Sequence, residues 1–185
     1  MILPIVAYGY PILNKKCEEI SSDHQDLDQL INNMWETMYA SQGVGLAAPQ
    51  INASIRLFLI DTTPFMDEDK KDQSIKKIFI NPVMLEETGE NWIFNEGCLS
   101  IPDVREDISR NSEIKIKYQD QNFNWHTDSF DGITARVIQH EYDHIEGILF
   151  TDRISPLRKR MIKGKLQKIY KGNIDVNYRM RFFKK

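Results

Sequence analysis

The chain has 185 residues, 41% of them hydrophobic and 28% charged, with a formal net charge of -3. That length supports a sizeable core in a single domain, and the near balance of charge offers no electrostatic basis for nucleic-acid binding. No apolar run approaches the roughly 18 residues of a membrane span, and two cysteines, Cys17 and Cys98, are too few for a disulfide framework.

The opening Met1–Val6 is apolar but lacks a basic leader and breaks at Tyr8-Gly9-Tyr10-Pro11, so a cytoplasmic protein without a secretory segment is expected. After Ser21-Ser22-Asp23, which offers capping side chains, Leu27, Leu30, Ile31, Met34, Trp35 and Met38 recur at spacings of three and four and predict an amphipathic helix. Gly43-Val44-Gly45-Leu46-Ala47-Ala48-Pro49-Gln50 then reads as a loop of tight backbone geometry. Short apolar runs at 56–61 and 77–80 predict strands, separated by a charged surface loop at Asp67–Asp72. Further strands are expected at 83–86, at 92–94 and at 113–118, where Ile114 and Ile116 alternate with lysines as in a one-sided antiparallel sheet.

A helix follows Asp131-Gly132 and stops at Gly147. Another opens at Ser155-Pro156 and ends near Gly172, with Arg158-Lys159-Arg160, Lys163, Lys165 and Lys168 on a solvated face. Alternation of Val176, Tyr178, Met180 and Phe182 with polar neighbours predicts a last strand. The elements predict an α+β fold in one domain spanning 1–185, with a helix held against one-sided antiparallel sheet, an N-terminal helix and a C-terminal helix plus strand.

The chemistry centres on His140-Glu141-Tyr142-Asp143-His144. At about 100° per residue, two histidines four apart lie about 40° apart around a helix, one turn above the other, so both can reach one ion. Glu141 flanks the same side and can act on a water without being a ligand. Two imidazoles do not complete a catalytic site, which takes three protein ligands. Cys98, in Glu96-Gly97-Cys98-Leu99-Ser100, is the candidate third, beside a glycine that permits unusual backbone geometry.

Three segments, GVGLAAPQ at 43–50, EGCLS at 96–100 and HEYDH at 140–144, together resemble the signature motifs of the peptide deformylases in their order and spacing. The resemblance implies a fold of antiparallel sheets packed around a central metal-binding helix, removal of the formyl group from N-formylmethionyl nascent peptides in bacteria or organelles, a bacterial cytoplasmic setting and proximity to the ribosome. It implies that Cys98, His140 and His144 bind one divalent metal with water in the fourth position, and that Glu141 is the general base. By the same resemblance, Gln50 and the Leu99 backbone amide stabilise the oxyanion. Gly43, Val44, Gly45 and Gly97 become candidates for the peptide-binding surface, Arg105 for a substrate carbonyl, and Val44, Ile133 and Val137 for the methionine slot. Glu96, Arg110 and Asp143 are candidates to orient the ligands. The family points to iron(II), while the donor set also accepts zinc, nickel or cobalt.

Two rival readings use the same helix. A general metallopeptidase shares the two-histidine and glutamate pattern. A non-catalytic zinc module would close the tetrahedron with Cys17, His24 or His126 and leave Glu141 and Gln50 without roles.

Overall fold

A computed structural model describes residues 1–66 and 74–183; the charged loop predicted at Asp67–Asp72 lies outside the described residues. Five strands form an antiparallel sheet in the order β2 (Gly45–Ala47), β3 (Leu57–Asp61), β4 (Lys76–Cys98), β5 (Ile101–Gln119) and β6 (Trp125–Asp131). A second, two-stranded sheet pairs β1 (Ile5–Val6) with β7 (Met180–Arg181) in parallel. The helices are α1 (Leu27–Ala40), α2 (Gly132–Ile145) and α3 (Pro156–Tyr170). The α+β architecture therefore stands, with one parallel pair added to the expected antiparallel sheet.

The runs predicted as separate strands at 77–80, 83–86 and 92–94 are one strand, β4. Register shifts between Ile80 and Val83, Met84 and Glu86, and Thr88 and Asn91 absorb Pro82 and Gly89 without ending the pairing with β5, as bulges allow. The alternation noticed at Ile114 and Ile116 extends back through Arg110, Ile108, Glu106 and Val104, all buried on the inward face of β5. Two charged residues thus occupy core-facing phase. The strand β6 went unpredicted because only Trp125 and Phe130 in it are strongly apolar and most of it is exposed.

Helix α1 sets Ile31, Met34 and Met38 against Leu46, Leu57 and Leu59 in one apolar cluster. Its cap is Asp26, in left-handed backbone and with no side-chain capping bond, rather than Ser21-Ser22-Asp23, which lie too far upstream. Its other end closes with Gln42 at φ 57, the Gly43 N–H donating to Met38 O at 2.9 Å and the Gln42 N–H to Tyr39 O at 3.0 Å. That paired closure satisfies two orphan carbonyls and turns the chain toward β2. Gly132, at φ 52, turns β6 directly into α2, a left-handed backbone that favours glycine. Thus α2 crosses behind β2, β3 and β5 with ten of its fourteen residues buried.

Candidate active site

The end of β4 and the middle of α2 meet here. Cys98 Sγ and one ring nitrogen from each of His140 and His144 lie within 4.8 Å of one another, with Cys98 Sγ 3.3 Å from His144 Nε2. His140 Nδ1 is engaged by Glu96 Oε2 at 2.9 Å, which fixes the ring and leaves Nε2 for a ligand role. One thiol and two imidazoles converging in so small a volume fit a zinc-like or iron(II)-like ion. Among the described residues no other group of this kind exists: Cys17 packs in the core, His24 lines a separate cavity with Phe123, and His126 is bound to Asp120 at 2.8 Å. The closed zinc module therefore loses its proposed fourth ligands.

The two imidazoles differ electrostatically. Burial and the charge of His140 hold His144 well below the ordinary histidine range. Burial also opposes charge on His140, but hydrogen bonding to Cys98 and Glu96 outweighs it and raises that pKa. Burial pushes the Glu141 carboxyl up to about 7, against the pull of His140, and its Oε2 has no hydrogen-bond partner. A carboxyl poised there can take and return a proton near neutrality.

Beside the candidate metal ligands lies a buried ion network. Arg110 donates to both Glu96 oxygens (2.7 and 3.0 Å) and to Asp143 Oδ2 (2.7 Å). Arg136 donates to Glu96 Oε1 at 2.9 Å, to Ile108 O at 3.0 Å and to Trp92 O at 2.6 Å, its guanidinium 4.5 Å over the Trp92 ring. Arg153 completes Asp143 from the chain beyond α2 (2.6 Å from Nε). Burial would raise the Glu96 carboxyl, but the hydrogen bonds from His140 and Arg110 hold it well below the usual carboxylate range. Sequence reasoning anticipated Glu96, Arg110 and Asp143 but missed Arg136 and Arg153. The available signal for Arg136 was its place four residues before His140, on the same helical stripe.

A cleft of about 790 Å³ opens over the site. Gly43, Val44, Gly45, Gly97, Arg105 and Val137 all line it, as do Gln50, Leu99 and Glu141. Ile133 does not: it sits a turn earlier on α2, beside β6, and lines a second cavity with Met66 and Phe130. The expected tight loop is also corrected, since Gly45–Ala47 is a strand and none of Gly43, Gly45 and Gly97 has positive φ. Glycine is needed at 45 for space, because a Cβ there would lie 2.4 Å from Glu141 Oε1. At Gly97 a Cβ would lie 2.7 Å from Arg105 Nη1. Arg105 itself donates from Nε to Asn95 Oδ1 at 2.9 Å and from Nη2 to Asn95 O.

Gln50 is buried, on a 3-10 turn just after β2. Its Oε1 accepts from the Ala47 N–H at 2.9 Å, which orients Nε2 toward Cys98 Sγ (3.5 Å) and Ser100 Oγ (3.4 Å). A fixed amide donor, a desolvated carboxyl, and Cys98 and His140 of the candidate ligand cluster therefore line the cleft, with His144 Nε2 3.3 Å from Cys98 Sγ, a set suited to hydrolysing an amide.

A family model described as Polypeptide deformylase matches residues 2–160. A relative from Christiangramia forsetii named peptide deformylase is 57% identical, across 98% of this chain and 96% of its own. One of the same name from Flavobacterium psychrophilum is 56% identical, across 100% and 99%. The crystal structure of a peptide deformylase from Legionella pneumophila superposes with a TM-score of 0.80 at 34% identity, covering 94% of this chain and 98% of that one.

Proposed function

Because the chain belongs to the peptide deformylase family, hydrolases that remove the N-formyl group from nascent polypeptides, we propose that Glu141 is its general base and Cys98, His140 and His144 its metal ligands. The single observation behind this reading is the buried Glu141 carboxyl, one oxygen unpartnered, lining the cleft with Cys98 and His140 of the Cys98, His140 and His144 cluster. When bound, a divalent ion supplies Lewis-acid chemistry, lowering the pKa of water and polarising a carbonyl.

Glu141 takes a proton from the attacking water and returns it to the amine that leaves as formate is released. Gln50 Nε2 and the Leu99 N–H donate to the oxygen on which negative charge develops. Gly43, Gly45 and Gly97 let the substrate backbone approach closely, Arg105 offers a donor at the rim, and Val44 and Val137 give the methionine side chain apolar contact. Ile133 stands apart, its neighbours in the second cavity supporting a packing role. The proposed metal in the cell is iron(II), with zinc, nickel or cobalt as substitutes.

The whole chain acts as one catalytic domain on N-formylmethionyl chains in the bacterial cytoplasm, near the ribosome where such substrates arise. Among the described residues no helix is long and apolar enough to cross a membrane.

The test is formate release from formyl-Met-Ala-Ser by anaerobic iron(II)-loaded protein. Glu141→Ala, with metal content verified, should lose about 10²- to 10⁴-fold in turnover. Folded, metal-loaded wild type that releases no formate would sink the proposal and direct attention to internal peptide bonds.

A further inference from the structure

Residues 161–183 lie beyond the span that the family model matches, yet the chain returns to the cleft after α3. The pairing of β7 with β1 anchors it there, with the Ile5 and Ala7 N–H groups donating to Arg179 O and Arg181 O, each at 2.9 Å. Asp175, Val176, Asn177 and Tyr178 consequently form one wall of the cleft. The Tyr178 ring is half-buried and packs in the same apolar cluster as Leu99. Its hydroxyl donates to the Leu99 carbonyl at 2.8 Å.

That carbonyl belongs to a turn that the sheet does not hold. The β4–β5 register slips between Gly97 and Cys98, and Cys98 pairs with Ile101, leaving Leu99 and Ser100 outside the ladder. Three bonds from distant parts of the chain fix them instead. Besides Tyr178, the Tyr8 N–H donates to Ser100 O at 2.8 Å, and Gln50 Nε2 to Ser100 Oγ at 3.4 Å. The Leu99 N–H has no acceptor among the described residues.

We infer that Tyr178 is a positioning residue: its hydroxyl fixes the Leu99 carbonyl, and with it the backbone orientation that aims the free Leu99 N–H into the cleft. The inference rests on the deformylase reading for its catalytic consequence. A donor held in place before charge develops costs no reorganisation in the transition state, whereas one that must first be oriented loses much of its effect. Tyr178 gives the C-terminal segment a share in the chemistry through the backbone of the Leu99 turn.

Tyr178→Phe removes the donor and keeps the ring. Its kcat and KM for formate release from formyl-Met-Ala-Ser are to be measured with metal content, thermal midpoint and amide hydrogen exchange over residues 98–101. Expected are a kcat about tenfold lower, a KM within about twofold, unchanged metal content and midpoint, and faster exchange confined to that turn. Tyr10→Phe is the comparator, because Tyr10 Oη donates to Phe182 O at 3.3 Å and so holds the same segment away from Leu99. It should leave kcat unchanged.

Unaltered kcat and exchange in Tyr178→Phe would overturn the inference. So would an equal loss in both variants, or a loss that tracks departing metal or a falling midpoint. Inactive wild type would instead overturn the deformylase reading, and the exchange rates would still decide whether Tyr178 orders the turn.

Discussion

Helices α1 and α2 have 14 residues each and both contact β2, but they are buried by opposite means. In α1 one apolar stripe faces the sheet and the remaining faces are solvated, Glu36 for instance meeting the exposed N-terminal amine at 2.5 Å. Burial there is non-directional, and a neighbouring residue of similar volume would serve. In α2 the enclosed side chains include Arg136, Gln139, Glu141, Asp143 and His144. Each enclosed charge needs an identified partner, since an unpaired one costs several kcal/mol. Arg136 and Asp143 on the polar side of α2 are thus fixed by named ion pairs, whereas Glu141 keeps one oxygen unpartnered beside the candidate ligands.

The sharpest way to break this contrast is Glu96→Ala, which strips His140, Arg110 and Arg136 of a shared acceptor. It should cost about 3–5 kcal/mol of stability and weaken metal affinity by roughly 10- to 100-fold, read by denaturant unfolding and metal titration. Met34→Ala, at a fully buried α1 position, should cost about 2–5 kcal/mol by leaving a cavity while metal affinity stays unchanged. Equal metal loss in both variants would mean that the two helices are not independent.

A third effect probes the apolar side of α2, where Cys17 belongs to the same buried cluster as Ile138 and Ile145 and donates its N–H to Ile145 O at 2.8 Å. Burial pushes the Cys17 thiol from 9.0 up to about 11. Below pH 9 both folded and unfolded thiols keep the proton, so the stabilisation is fully present. As pH rises from 9 to 11 the unfolded thiol ionises first, and about 2 kcal/mol should be lost. Unfolding measured across that window should fall less steeply for Cys17→Ala than for wild type. The smallest effect belongs to Glu36→Ala, whose exposed ion pair should be worth under about 1 kcal/mol; a larger change in the unfolding midpoint would show that the solvated face of α1 is not the tolerant surface described.

The contrast also explains what could be read in advance. Periodicity identifies α1 because its burial is apolar, and the spacing of His140 and His144 identifies the candidate metal-facing side of α2 because helix geometry alone brings them together. Nothing local marks Arg153 as the partner of Asp143, or separates Val137, in the cleft, from Ile133, which lines a different cavity four residues earlier. The single strand β4 read as three because Pro82 and Gly89 look like terminators until a partner strand carries the pairing across them.

The sequence by itself determined the residue types of the chemistry and the local frames that present them: a helix with two histidines and a carboxylate, a cysteine, and an amide in a glycine-bearing segment. Those are short-range properties, set by side-chain chemistry and the helical repeat. Only the tertiary structure decided that Gly45 must lack a side chain to admit Glu141, that Glu96 binds His140 across 44 residues of chain, and that Tyr178 reaches back across 79 to the Leu99 turn. Such contacts depend on where a sheet brings distant segments together, and no local pattern encodes a distance in space.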